Sequence, residues 1–547
     1  RGSQAWRPWT EKVLEKDALL WFGAGQDLVG HMEALARTRK APVRLVVTTS
    51  EIDRQRQTLE KKVAAQESHN RQEVWWQMAV RDLEQQGRLN EALELVKGNK
   101  PANWYPVTAG DLGMIFELGQ SGARVVTLQD ISTGASLATS EKVPLFEITL
   151  RKVANEGESE AASDELRIRA DDGWQAVEIT NLNPLTVVWR NPQSLQGGSL
   201  EVVATVNPQP ARSALEWTLS VQKLQAPWTV WQVAFPQLAV RDLGPDAQLL
   251  YPQGCGIVAS HPWSAEFDYR GRYPSGWTTM QFMAVYRGDC TTGLYFGLHD
   301  PWASTKEIIA AALRDEPLLQ LRCEHWAPNM GKPGNGFELS GRAVWQVLHG
   351  DWYDAAQIYR RWVVEEAKWY PQLGTGGRED SPAWMRELPL WALYGGPTNA
   401  CVEQTKQFAD FFGVPCGVHW YNWHMNPFDN DYPHYFPTKP EFPDGVQKLR
   451  AAGIHVMPYI NGRLWDTRDK GMEDYQFTSQ ALVAASKNEQ GEPYIETYGS
   501  KESDGSPVRL AVMCPTTQLW QTKVREIVLR LFQEYQVDAV YIDQIAA

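Results

Sequence analysis

The chain has 547 residues, of which 43% are apolar and 22% charged, the proportions of a folded protein and not of a disordered one. Its 53 Lys and Arg against 66 Asp and Glu give a net charge of −13, which argues against the basic face of a nucleic-acid binder. No run approaches ~18 consecutive apolar residues, so no membrane-spanning helix is expected, and the length suits two or three domains.

Tryptophan is abundant, with 25 residues. An indole is costly to place unless it is buried or stacked on a ligand, and sugars present apolar faces that suit it. Core filling and sugar contact are therefore the two readings. The six cysteines, Cys255, Cys290, Cys323, Cys401, Cys416 and Cys514, show no CxxC pair and no zinc-type spacing. They read as buried thiols, with one or two disulfides left open. The opening Arg1-Gly2-Ser3 shows no signal peptide and reads as a mature start.

Residues 1–106 read as a helical N-terminal segment. From Ile52 to Lys97 the sequence is rich in Gln, Glu, Arg, Lys and Ala, and Gly87 divides it into a helical pair. Leu83, Leu89, Leu93 and Val96 form its expected packed side, and partner binding by this pair is the alternative role. From 107 to 340 the texture becomes short alternating runs split by turn residues. Gly113–Leu118, Ala123–Leu128, Leu145–Leu150, Ser199–Val206 and Leu215–Val221 are examples. Roughly ten such runs predict a large antiparallel β-sandwich.

Residues 341–381 read as a helical connector and linker. Asp351 is placed to cap a helix with apolar positions at 352, 355, 356, 359, 362 and 363, and 374–382 reads as flexible. From 382 to 547 apolar strands alternate with amphipathic helices. The strands are Pro389–Tyr394, Pro415–Trp420, Ile454–Ile460 and Asp538–Ile542. Thr398 is the expected cap of the first helix and Gly413 its stop. This order predicts parallel βα units, the first four of a (β/α)8 barrel. Four such units leave open edges, so either the sheet stays an open half-barrel or, the favoured reading, a second polypeptide piece completes the barrel as a partner.

In such a barrel, chemistry gathers where the loops leave the C-terminal ends of the strands. The segment after the second strand carries Trp420, Trp423, His424, Asp429 and Asp431, a composition suited to a carbohydrate subsite or to a well-packed surface loop. After the third strand stand Asn461, Arg463, Trp465 and Asp466, where Arg463 is either a sugar contact or an ion-pair partner of Asp466. Residues up to 507 then form an insertion long enough to wall the site. After the fourth strand comes Asp543, which Tyr541 and Gln544 can orient. Asp543 is either a helix cap or the carboxylate that a glycosidase sets below the sugar ring. Nothing in the sequence calls for a metal or an organic cofactor.

Together the sandwich, the connector Gly350-Asp351-Trp352-Tyr353-Asp354-Ala355-Ala356 and Val540-Tyr541-Ile542-Asp543 resemble retaining α-glycoside hydrolases. The similarity is to endo-α-N-acetylgalactosaminidases and the α-galactosidase-like clan. Tyr541-Ile542-Asp543-Gln544-Ile545-Ala546-Ala547 also resembles a bacterial glycosidase-like domain family. The resemblance implies that Asp543 is the nucleophile and that the general acid lies on a later strand, beyond residue 547. It implies a bacterial enzyme of carbohydrate metabolism, secreted or periplasmic. The rival readings are a non-catalytic carbohydrate-binding protein and a subunit of a larger glycan-processing assembly.

Overall fold

The computed structural model describes residues 79–80, 83–84, 89–153, 164–263, 266–314, 316–469, 476–488 and 491–545. Most of the expected N-terminal helical pair lies outside these residues. Its described helix is Leu89–Val96, where Ala92 and Leu95 are buried while Leu89 and Leu93 are only half-buried. Ala92 and Leu95 share a small core with Leu83, Trp104, Ile115 and Val126. The chain divides into two compact units, Arg1–Tyr370 and Pro371–Ala547.

The first unit is built on two ten-stranded sheets in which each described pairing is antiparallel. In one, the long strand Trp228–Arg241 pairs Leu318–Trp326 on one side and Ala135–Thr139 and Glu147–Lys152 on the other. In the other, Glu201–Gln209 pairs Ala214–Gln222, which pairs Arg342–Val347. Alternate residues Leu215, Trp217, Leu219 and Val221 point inward and are buried. The two sheets meet there: Trp217 lies 6.4 Å from Phe235 edge to face, within one core drawn from both sheets. Each such side chain contributes about 1.5–3 kcal/mol on burial.

The sheets hold twice the roughly ten strands expected, and they run past residue 340 through Arg342–Val347. Lys306–Ala312 shows why strands are missed. Its Lys, Glu and three Ala favour a helix by propensity, yet it is zipped between Asp268–Tyr273 and Leu318–Trp326. Its first residue is fully buried, with Lys306 Nζ 2.7 Å from Asp300 Oδ2 and 2.6 Å from Gln281 Oε1.

The connector helix spans Trp352–Glu366, and Asp351 caps it in a capping box completed by Asp354. Ala355, Tyr359, Trp362 and Val363 are buried against Phe282 and Tyr295, whereas Trp352 is exposed. The expected linker carries a short hairpin, Leu373–Gly374 with Gly377–Arg378.

In the second unit four strands pair in parallel in the order Leu390–Tyr394, Cys416–Trp420, His455–Asn461 and Tyr541–Asp543. Helices Cys401–Phe412, Glu441–Ala451 and Gln518–Glu534 lie between them in sequence. Gly413, at φ +63°, ends the first of these. Thr398 does not cap it. A 3₁₀ turn over Thr398–Ala400 precedes the helix, and the Thr398 hydroxyl donates to the Asn422 carbonyl instead. The insertion after the third strand forms a small antiparallel sheet of Leu464–Asp466, Ile495–Glu496 and Leu510–Val512. All six cysteines are free thiols, and among the described residues no helix is long and apolar enough to cross a membrane.

Candidate functional site

Strand register assembles the site in the second unit. Tyr459 lies beside Tyr541, and Asn461 beside Asp543, across the third and fourth parallel strands. Because side chains alternate along a strand, residues 459 and 461 share one face, as do 541 and 543. His419, near the end of the second strand, joins the same group: its ring is 4.2 Å from Tyr541 and 4.5 Å from Tyr421. Tyr421 stacks on Tyr459 at 4.9 Å and 18°, and Phe428 approaches Tyr459 at 5.2 Å.

Asp543 ends the fourth strand and is half-buried. Its Oδ2 accepts a hydrogen bond from the Tyr459 hydroxyl at 3.1 Å. The sequence places Tyr541 and Gln544 where either can orient it. Gln544 instead accepts from Asn461 Nδ2 at 3.0 Å and donates to the Tyr498 hydroxyl at 2.9 Å. Tyr498 in turn donates to Glu496 at 2.7 Å, and Glu496 also accepts from Arg463 at 2.7 Å. Asn461 Oδ1 accepts from the backbone N–H groups of Arg463 and Leu464, and so fixes the turn after the third strand.

Of the two readings of Arg463, the ion pair is the one present, but with Glu496 in place of Asp466. Asp466 is buried and works on the neighbouring loop, where its Oδ2 accepts from Asp431 N–H and its Oδ1 from Arg468 N–H. Burial pushes the Asp466 carboxyl above its ordinary range. Asp429 and Asp431 both adopt φ +56°, which Asp tolerates better than most side chains. Asp429 Oδ1 accepts from the Tyr432 hydroxyl at 3.3 Å. Burial raises the Asp429 pKa, the Tyr432 bond opposes the rise, and the negative charge of Asp543 adds to it. Burial likewise lowers the pKa of His419, against the pull of Asp543.

The expected tryptophan platforms are core residues. Trp420 and Trp423 are fully buried and Trp465 nearly so, which leaves no indole face for a sugar. Trp420 packs against Phe442, and Trp423 stacks on Tyr435 while its Nε1 donates to the Tyr459 carbonyl at 2.7 Å. Trp465 lies against His434 and Trp520. His424 is buried too, its Nδ1 donating to the Asn426 carbonyl at 2.8 Å, and burial lowers its pKa to about 4. The rings gathered around Tyr459, which bonds Asp543, are those of His419, Tyr421, Phe428 and Tyr541. Tyr459 was missed although it stands two residues before Asn461, the same-face spacing of a strand. Among the described residues no group of three His, Cys, Asp or Glu side chains gathers to hold a metal.

Residues 337–547 match a family model described as a domain of unknown function, DUF6259. A protein of Monosiga brevicollis named "Putative glycoside hydrolase 22789" is 29% identical over 349 residues, 58% of this chain and 28% of its own length. A Bacteroides thetaiotaomicron protein named "Putative glycoside hydrolase" is 27% identical over 332 residues, 60% of this chain and 46% of its own length. The chain thus spans less than half the length of these curated relatives. Among solved structures, the α-N-acetylgalactosaminidase NagBb of Bifidobacterium bifidum is 13% identical with a TM-score of 0.57, over 80% of this chain and 70% of that one. Its complex with GalNAc gives a TM-score of 0.55 at 14% identity, over 80% of this chain and 69% of that one. The chain resembles glycoside hydrolases in sequence and shares the fold of that galactosaminidase.

Proposed function

We propose that this chain carries the nucleophile-bearing part of a retaining α-glycoside hydrolase acting on α-galactoside-type linkages, N-acetylated or not. The observation that carries the reading is the Asp543 carboxylate, half-buried at the C-terminal end of a parallel strand, bonded by Tyr459 and set among aromatic rings. A carboxylate so placed has the chemistry to attack an anomeric carbon, and flat rings beside it suit a pyranose face. Asp429, Arg463 and Tyr541 are the groups we assign to sugar contact, whereas Asn461 is buried with both amide atoms bonded and holds the turn instead. The second carboxyl, which protonates the leaving oxygen, belongs by resemblance to a later strand. Four further βα units would close the parallel sheet into a barrel and cover its edges. The enzyme is read as exported, where glycan substrates are met.

The test uses the full-length protein with para-nitrophenyl α-galactoside and para-nitrophenyl α-N-acetylgalactosaminide. Asp543→Asn is expected to lower kcat by at least about 1,000-fold, and azide to rescue Asp543→Gly with formation of a β-glycosyl azide. Turnover by Asp543→Asn within a few-fold of wild type removes the nucleophile assignment. Oligosaccharide binding without turnover by the wild type points to the carbohydrate-binding alternative.

A further inference from the structure

Resting on the reading of Asp543 as nucleophile, we propose that Tyr459 is a positioning residue that selects Asp543 Oδ1 as the attacking oxygen by holding Oδ2. The Tyr459 hydroxyl donates to Oδ2 at 3.1 Å, and among the described residues it is the side chain that hydrogen-bonds this carboxylate. Its own freedom is small. The ring is buried and packs against Tyr421 at 4.9 Å, Tyr541 at 6.0 Å and Phe428 at 5.2 Å. Its carbonyl accepts from Trp423 Nε1 at 2.7 Å, and the Asp543 carbonyl accepts from Gly462 N–H at 2.8 Å. Both ends of the hydroxyl–carboxylate bond are therefore anchored in backbone as well as in side chain.

Burial also holds the Tyr459 phenol far above its ordinary range, so it remains a donor at any pH at which an enzyme works. A carboxylate with one oxygen clamped has lost the rotation that would exchange its two oxygens. In the first step Oδ1 forms a bond to the anomeric carbon while the glycosidic C–O bond breaks. The electron pair leaves on the departing oxygen, which takes a proton from a general-acid carboxyl, and Oδ2 becomes the ester carbonyl, still accepting from Tyr459. When water attacks the anomeric carbon it gives a proton to the carboxylate that served as the acid, the Oδ1 bond breaks, and the electron pair returns to the Asp543 carboxylate against the same donor.

The experiment compares wild type, Tyr459→Phe and Asp543→Asn in the full-length protein. Tyr459→Phe keeps the ring and removes only the hydroxyl. With para-nitrophenyl α-galactoside or its N-acetylgalactosaminide, kcat is expected to fall about 10- to 100-fold while KM stays within about threefold, because alignment is lost and sugar contact is not. Labelling of Asp543 by a fluorinated α-galactosyl fluoride, followed by peptide mass spectrometry, is expected to slow by a similar factor. That reagent's fluoride departs without a proton, so its rate reports the nucleophile alone. Assays below each variant's melting transition separate loss of fold from loss of alignment. If Asp543 is labelled and Tyr459→Phe matches wild type in kcat and labelling rate, the positioning role is overturned while the nucleophile stands. If Asp543 is not labelled and Asp543→Asn still turns over, it is the underlying reading that fails.

Discussion

Asp429 sits where two demands conflict. Its half-buried carboxyl has lost part of its hydration, and the charge of Asp543 opposes its ionisation, so its pKa is raised despite the bond from Tyr432. A carboxyl with a raised folded-state pKa favours folding below its unfolded value of about 3.9, and that contribution is lost as pH rises through the folded value. At neutral pH the ionised group therefore costs stability that a neutral isostere does not. Asp429→Asn, which keeps an oxygen for the Tyr432 hydroxyl, should melt above wild type at pH 7, and the two curves should converge as pH falls below about 4. Melting followed by circular dichroism across that range checks this, and a wild type that is the more stable at pH 7 contradicts it. The same substitution should weaken sugar binding if Asp429 contacts the substrate, so stability and function would move in opposite directions. The tryptophans teach a related point. Trp420 ends the second parallel strand and Trp423 follows it, in a segment whose composition suits a sugar subsite, and both are fully buried. Composition shows which chemistry is on hand, whereas strand parity decides which side chains face it. Parity was readable at 459, 461, 541 and 543, whereas 461, 541 and 543 are named in the sequence for their place at strand ends, which leaves Tyr459 unnamed.

Single elements were most legible where a local rule acts alone. The connector helix is such a case, because Asp351 and Asp354 satisfy each other's end of the capping box within four residues. Asp351→Ala should cost about 1 kcal/mol, seen as a lowered midpoint in urea with an unchanged slope. A shift indistinguishable from zero would mean that packing of Tyr359 and Trp362 alone sets this helix. Where long-range pairing competes with local preference, sequence reading fails. Lys306–Ala312 has helical composition and a buried lysine, and both become intelligible only beside strand Leu318–Trp326 and the Asp300 carboxylate. Thr398 has the chemistry of a cap but is drawn to the Asn422 carbonyl, a partner 24 residues away. The order of the four parallel strands was readable because each is a short apolar run bounded by its own turn and helix. Their ends moved by a few residues, as at Tyr541–Asp543 against the expected Asp538–Ile542.

On the scale of the whole molecule the two units differ in how completely they cover their apolar surface. The sheets of the first unit close on one another around a shared core. The second unit presents Leu393 on its first parallel strand and Phe411 on the following helix, 70% and 82% exposed, and Leu529 and Phe532 on its last helix are exposed as well. A parallel sheet is stable only when both faces are covered, and an unpaired edge beside apolar side chains invites association. Residues 371–547 prepared as a separate polypeptide should therefore self-associate, with a sedimentation coefficient that rises with concentration. Leu393→Lys combined with Phe411→Lys should reduce that rise, since charge at an edge opposes pairing. Residues 89–370 should stay monomeric and unfold in one cooperative transition over the same range. A monodisperse 371–547 that unfolds cooperatively would mean that the four-stranded parallel sheet needs no covering. The proposal that further βα units complete it would then have to rest on the Asp543 site and not on the exposed edges.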